Sequence, residues 1–385
     1  MPDREIRQSV LTSARRIVVK LGTNAICDES GRPDRRSIGS IARQVAELMG
    51  RGVSVTLVSS GAIGSGLGEM GLTERPKAMP ELQAAAAIGQ AQLMRTYPDA
   101  LARHGIRVGQ VLVTRDDFES RTRYLNIRNT LRALTEWGAV PIINENDTVA
   151  VDEIRFGDND ILAALVTNAI PADALVLLSV VDGLHDSDGQ VVDLVEDPLA
   201  MRMLVTGEKS ALGSGGMETK LEAARRVTDA GEIAVIANGR TPDVLTKLTA
   251  GERVGTVFVP AHRKLASRER WIGMAVRPGG VLVVDEGAAN ALRVRGKSLL
   301  ATGITEITGN FDKGEVVIIR DQRGREVGRG LINYAAEEVR TIQGRRSSEF
   351  EKLLGRRAYD EVVHRDNLVV SERRDEAGDE KDAPR

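Results

Sequence analysis

The chain has 385 residues, 42% hydrophobic and 28% charged, the balance of a globular protein with room for two domains. A net charge of −2 gives no whole-molecule field for nucleic acid or an anionic membrane, and a single cysteine, Cys27, excludes an internal disulfide and a thiolate metal cluster. Aromatic residues make up only 3%, so the core has to be built from Val, Ile, Leu and Ala, which favours layered α/β packing.

The stretch up to Arg16 carries scattered charges and no apolar segment, so no signal peptide is expected there. Ile17 to Leu21 reads as a strand ended by Gly22, and Ile38, Ile41, Val45, Leu48 and Met49 then recur at helical spacing. Val53 to Val58 is a second strand, closed by a glycine-rich turn at Ser60-Gly61-Ala62. A long Ala-rich helix from Glu81 to about Arg103 precedes a strand at Val108 to Val113. A helix with Ile127, Leu131 and Leu134 leads into the strand Ala139 to Ile143. Next come the helix Asp160 to Ala169, the strand Ala174 to Leu178, the helix Glu218 to Ala230 and the strand Ile233 to Ile236. Strands alternating with long helices mean crossovers and a mostly parallel sheet sandwiched between helices. No apolar run approaches the ~20 residues of a spanning helix, so the expectation is a cytoplasmic protein with no membrane partner.

Past about Pro260 the pattern changes. Arg263 to Arg270 is polar and charged, and residues 263–276 read as a linker between a domain at 1–262 and a second, small β-barrel domain at 277–370. Its strand-like segments are Val281 to Val284, Ser298 to Ala301, Glu315 to Ile319 and Gly328 to Asn333. Residues 371–385 are charged without apolar periodicity and are expected to form a disordered tail.

Open parallel sheets bind ligands beyond the carboxyl ends of their strands, and four polar or glycine-rich segments fall at such ends. In VVKLGT, Val18 to Thr23, a lysine followed by glycine can set an ammonium beside phosphate oxygens; an edge lysine reaching solvent is the plainer alternative. SSGAIGSG, Ser59 to Gly66, offers the Ser60 hydroxyl and backbone that a ligand can approach, or simply a tight turn; it lacks the ending of a P-loop. NENDTV, Asn144 to Val149, and FGDND, Phe156 to Asp160, gather more amides and carboxylates than turns and helix caps require. GSGGMETK, Gly213 to Lys220, opens a helix whose free N–H groups can cradle a polyphosphate, with Lys220 in the first turn.

Taken in order, these motifs resemble the amino-acid kinase superfamily and, within it, the glutamate 5-kinase family. The likeness spans nearly the whole chain. VRPGGVLVVDEGAANAL from Val276, SLLATGIT from Ser298 and GRGLINY from Gly328 are similar to the PUA domain that many members carry, otherwise found in RNA-modifying proteins. The resemblance implies ATP-dependent phosphorylation of the L-glutamate side-chain carboxylate with Mg, the first step of proline biosynthesis. It also implies proline as feedback inhibitor, a homo-oligomer, and RNA as a partner of the second domain. Carried over by position, Lys20 and Lys220 flank the transferred phosphoryl group and Asp160 holds both lysines. Ser60, Asp147 and Asn159 match glutamate-binding positions. The nucleotide lies across Lys20, Ser179, Val180 and the stretch Ser214, Gly215, Gly216, Met217, Glu218, Thr219 and Lys220. No protein metal ligands are implied. The family commonly has Asp where Val180 stands and often Tyr at His185; a valine side chain accepts no hydrogen bond, and His185 is expected to be an exposed loop residue.

Two rivals remain at this level. Another amino-acid kinase would differ in its acceptor, and an RNA-binding protein would use the α/β unit as scaffold. From Arg277 to Lys352 there are thirteen basic and eleven acidic residues, a near balance that argues against RNA binding as the main role.

Overall fold

Strand β1 (Arg16–Leu21) is buried along both faces from Ile17 onward, a pattern that is stable only inside a sheet covered on both sides. In the computed structural model, which describes residues 2–28, 30–72, 74–150, 159–170, 172–196, 216–260, 272, 278–355 and 359–371, β1 lies at the middle of the larger sheet. Apart from Ile272 and Ser371, the expected linker and tail lie outside the described residues. The chain divides into two compact units, Met1–Leu265 and Ala266–Arg385.

The first unit runs α1 (Pro2–Ser13), β1, α2 (Thr23–Ile26), α3 (Arg35–Gly50), β2 (Ser54–Ser59), α4 (Ala62–Met70), α5 (Met79–Ala102) and β3 (Val108–Val113). It continues with α6 (Arg115–Glu119), α7 (Arg121–Glu136), β4 (Val140–Glu145), α8 (Asn159–Ala169), β5 (Ala174–Ser179) and β6 (Leu194–Val195). The remaining elements are α9 (Met217–Asp229), β7 (Ile233–Asn238), α10 (Val244–Thr249) and β8 (Thr256–Phe258). The sheet order is β3-β4-β2-β1-β5-β7-β8-β6, parallel throughout except where β8 meets β7. Because β1 pairs with β2 on one flank and β5 on the other, the chain winds out in both directions from it, and its carboxyl end lies at the switch point.

Two elements depart from the reading above. The segment before β1 forms α1, held down by the fully buried Arg7, which donates to Asp193 Oδ1 at 2.8 Å and to the carbonyls of Glu252 and Val254 at 3.0 and 2.6 Å. The glycine-rich turn after β2 is short, and a helix starts at Ala62. Gly66 therefore serves packing rather than ligand approach: a Cβ on it would stand 1.8 Å from the Ala85 carbonyl oxygen, and one on Gly89 equally close to that of Ala62. Only helices without side chains at the crossing can come so near. Gly61, at φ 93°, makes the left-handed entry to α4.

The second unit holds β9 (Gly280–Val284), α11 (Glu286–Arg293), β10 (Ile304–Gly309), β11 (Val316–Asp321), β12 (Glu326–Ile332), α12 (Ala336–Ile342), α13 (Phe350–Leu354) and β13 (Val363–Val370). Its five strands run β10-β9-β11-β12-β13 in one sheet, with only β9 and β11 parallel. The expected strand Ser298 to Ala301 is a single bridge from Leu299 to Val363 followed by a 3-10 turn at Ala301–Gly303; the strand comes just after it, as β10. Strand β13 was not expected either; its outer positions are half-exposed, which blurs the alternation that marks a strand. Leu282, Val284, Val317, Ile319 and Phe350 lie in this unit's own core.

Candidate active site

Lys20 sits next to the end of the central strand, and an ammonium there is tolerable only with a counter-charge. Asp160, in the first turn of α8, supplies it: Lys20 Nζ lies 2.6 Å from Oδ1 and Lys220 Nζ 3.1 Å from Oδ2. The carboxylate is 0% exposed and the lysines 7% and 5%, so two cations far apart in the chain meet at one buried anion. Burial would raise the Asp160 carboxyl, but the charges of Lys20 and Lys220 outweigh it and hold it below the ordinary carboxylate value. Two ammoniums against one carboxylate leave these three side chains with one net positive charge. Gly22 keeps the approach open: its N–H donates to Leu178 O at 3.0 Å, and a Cβ there would crowd that oxygen at 3.2 Å and stand 3.9 Å from Lys20 Nζ.

On the flank of β2 and β4 the groups around Asn159 are amides and a hydroxyl, with the Asp147 carboxylate in the turn beyond them. Asn159 Nδ2 donates to Ser59 O at 2.6 Å, to Asn144 Oδ1 at 3.0 Å and to Ser60 Oγ at 3.1 Å. Asn159 and Ser60 are both buried, and Asp147 lies in the half-buried turn after β4. Beneath them, Ser59 Oγ lies 3.0 Å from the hydroxyl of the buried Tyr97, whose phenol is pushed upward by burial.

On the other flank, Ser179 ends β5 half-buried, while Val180 is 44% exposed and His185 lies exposed in the following loop. Asn238 at the end of β7 donates to Asp182 Oδ1 at 2.8 Å, and Gly239 N–H to Ser179 O at 2.8 Å. Gly216 caps α9 with open space where a Cβ would be. Thr219 Oγ1 turns inward, to Gly216 O at 2.9 Å and toward Asp160 Oδ2 at 3.4 Å. Met217 is half-buried and Glu218 exposed. Ser214 and Gly215, with Phe156 to Asp158, lie outside the described residues. No group of three or more His, Cys, Asp or Glu is placed to hold a metal ion among the described residues.

Asn144 and Gln90 are not among the site residues that the sequence motifs point to. Asn144 stood inside NENDTV, but Gln90 sits in an Ala-rich helix where only its polarity, one residue after Gly89, singles it out.

Comparisons with known proteins identify the family. Residues 15–238 match the amino acid kinase family and residues 280–354 the PUA domain. The chain is 46% identical over 370 residues to a glutamate 5-kinase of Caldanaerobacter subterraneus subsp. tengcongensis, covering 94% of this chain and 100% of the relative. It is 47% identical over 374 residues to one from Syntrophotalea carbinolica, covering 95% and 100%. A relative of the same name from Chromohalobacter salexigens is 45% identical over 371 residues, covering 94% and 98%. With three strand-end clusters around one buried aspartate and matches over 94–95% of its length, the chain belongs to the amino acid kinase family, in the group of glutamate 5-kinases.

Proposed function

We propose that the chain transfers the γ-phosphoryl group of ATP to the side-chain carboxylate of L-glutamate, giving L-glutamyl 5-phosphate, the first step of proline biosynthesis. The observation that carries this reading is the pair of buried ammonium groups on Asp160, beside a neutral amide cluster suited to an amino acid. The nucleophile is the substrate's own carboxylate. With a reference pKa of ~4.3 it is ionised at neutral pH, so no general base is required.

The barrier is then electrostatic, an anion approaching a polyphosphate, and fixed positive charge in a dry site is the effective remedy. Lys20 and Lys220 supply it, and Asp160 fixes where they point without cancelling both. Mg²⁺ bound with the nucleotide would add further charge neutralisation to the polyphosphate. The backbone N–H groups at the start of α9 face the same anion, and Ser179, Val180 and Asn238 form the rim for the remainder of the nucleotide. Val180 can contribute only its backbone there. Ser60, Asp147 and Asn159 take the glutamate.

Incubating the protein with glutamate, ATP, Mg²⁺ and hydroxylamine traps an acyl phosphate as its hydroxamate. Glutamate-dependent hydroxamate together with ADP is the expected result. ADP release that follows aspartate or acetylglutamate instead would reassign the acceptor.

A further inference from the structure

The amide groups beside Asp160 form a chain whose direction is set by the backbone. Glu145 N–H donates to Asn144 Oδ1 at 2.9 Å, so that atom must be an acceptor. Ser59 O can only accept, so the Asn159 atom 2.6 Å away must be Nδ2. These two fixed points, from β4 and β2, settle both side-chain orientations without appeal to a ligand. Asn144 Nδ2 is left to donate, and it does so to Gln90 Oε1 at 2.7 Å. Gln90 reaches it because Gly89 lets α5 press against α4. Its own Nε2 is buried with no hydrogen-bond partner, so Gln90 spends its acceptor on Asn144 while its donor goes unused.

Two features follow at the open end. Asn159 Oδ1 accepts no hydrogen bond from the described residues, and Ser60 Oγ, already accepting from Asn159, has its proton left to give. The site thus presents one acceptor and one donor side by side, the complement of an ammonium and a carboxylate on one carbon.

We infer that Gln90 is a positioning residue: through Asn144 it locks Asn159 with Oδ1 outward, and so selects a free α-amino acid head group over one whose nitrogen is acylated. This deepens the proposed function and rests on it for the identity of the site. Gln90 itself touches neither substrate nor the reacting atoms.

In Gln90→Leu the Asn144 donor loses its partner and the lock loosens. The expected result is a KM for glutamate raised about 10-fold with kcat and the KM for ATP within about 3-fold of wild type. Gln90→Glu keeps an acceptor oxygen and is expected to stay within about 3-fold of the wild-type KM. An unmoved KM in Gln90→Leu, or a fall in kcat with a matching rise in both KM values, overturns the inference, as does a glutamate variant no better than the leucine one. If the leucine variant does not fold, Gln90→Glu decides alone: a 10-fold rise in its glutamate KM overturns the idea. A second readout is independent of turnover. Thermal stabilisation by free amino acids should exceed that by their N-acetyl forms in wild type, and the preference should vanish in Gln90→Leu. A wild type that does not phosphorylate glutamate sinks the proposed function, while the same thermal comparison over other amino acids still decides the role of Gln90.

Discussion

The two flanks of β1 solve the problem of buried polarity in opposite ways. At Asp160 the groups are charged and fix one another, so each depends on a partner that comes from elsewhere in the chain. At Asn159 the amides and the Ser60 hydroxyl are uncharged and anchored on backbone atoms of β2 and β4, with Gln90 bracing Asn144 from behind. The charged cluster should therefore fail abruptly when one member is removed, and the amide cluster should weaken in steps.

Removing a charge tests this contrast most severely. Lys20→Ala and Lys220→Ala are each expected to lower kcat by ~10²-fold or more, about 2.7 kcal/mol of transition-state stabilisation, with a smaller change in the KM for glutamate. Near-normal turnover in both would dismiss them from the reaction. Asp160→Ala leaves two buried ammoniums without their shared carboxylate and is expected to cost about 3–5 kcal/mol of stability, read by denaturant melts. Gly89→Ala comes next: its Cβ would meet the Ala62 carbonyl oxygen at 1.8 Å, so α4 and α5 must part, at a cost of about 2–3 kcal/mol. A melting temperature unchanged by that substitution would show that the crossing has slack.

On the amide flank, Ser60→Ala is expected to raise the KM for glutamate about 10-fold while kcat holds within a few-fold, because one hydrogen bond is lost and no charge is exposed. A collapse of kcat instead would erase the distinction between the two flanks. The smallest effects are in pH. Asp160 titrates below its ordinary 3.8 when folded, so its contribution to stability is complete above that pH and declines as the pH falls below it. Cys27 behaves in the opposite sense. Burial, with Asp28 and Asp34 nearby, pushes its thiol from 9.0 to about 12, so stability should decline as the pH rises from about 9 toward 12. Native protein at pH 8 should accordingly resist iodoacetamide at Cys27 and become reactive in urea; brisk native labelling would show that the pocket around Gly61 opens.

Much of the first unit was legible because its strands are short apolar runs and its helices amphipathic, signals that survive in any local window. What local windows miss is also plain. Gly66 looks like a loop former, and only the passage of α5 across it turns it into a helix-packing residue. Arg7 looks like one more surface charge, and its burial depends on carbonyls roughly 250 positions onward in the chain. In the second unit, β10 and β13 carry half-exposed positions, and pairing rather than pattern makes them strands.

The order of residue types along the chain determined by itself an α/β unit followed by a strand-rich one, and placed Lys20, the Asn-Asp segment and Lys220 at strand and helix ends. Only the tertiary structure decided that the two lysines share one carboxylate and that Gln90, through Asn144, orients Asn159. Periodicity is a property of neighbours in sequence and can be read one segment at a time. A hydrogen bond across 54 or 60 positions exists only after the sheet has closed the distance and fixed the angle.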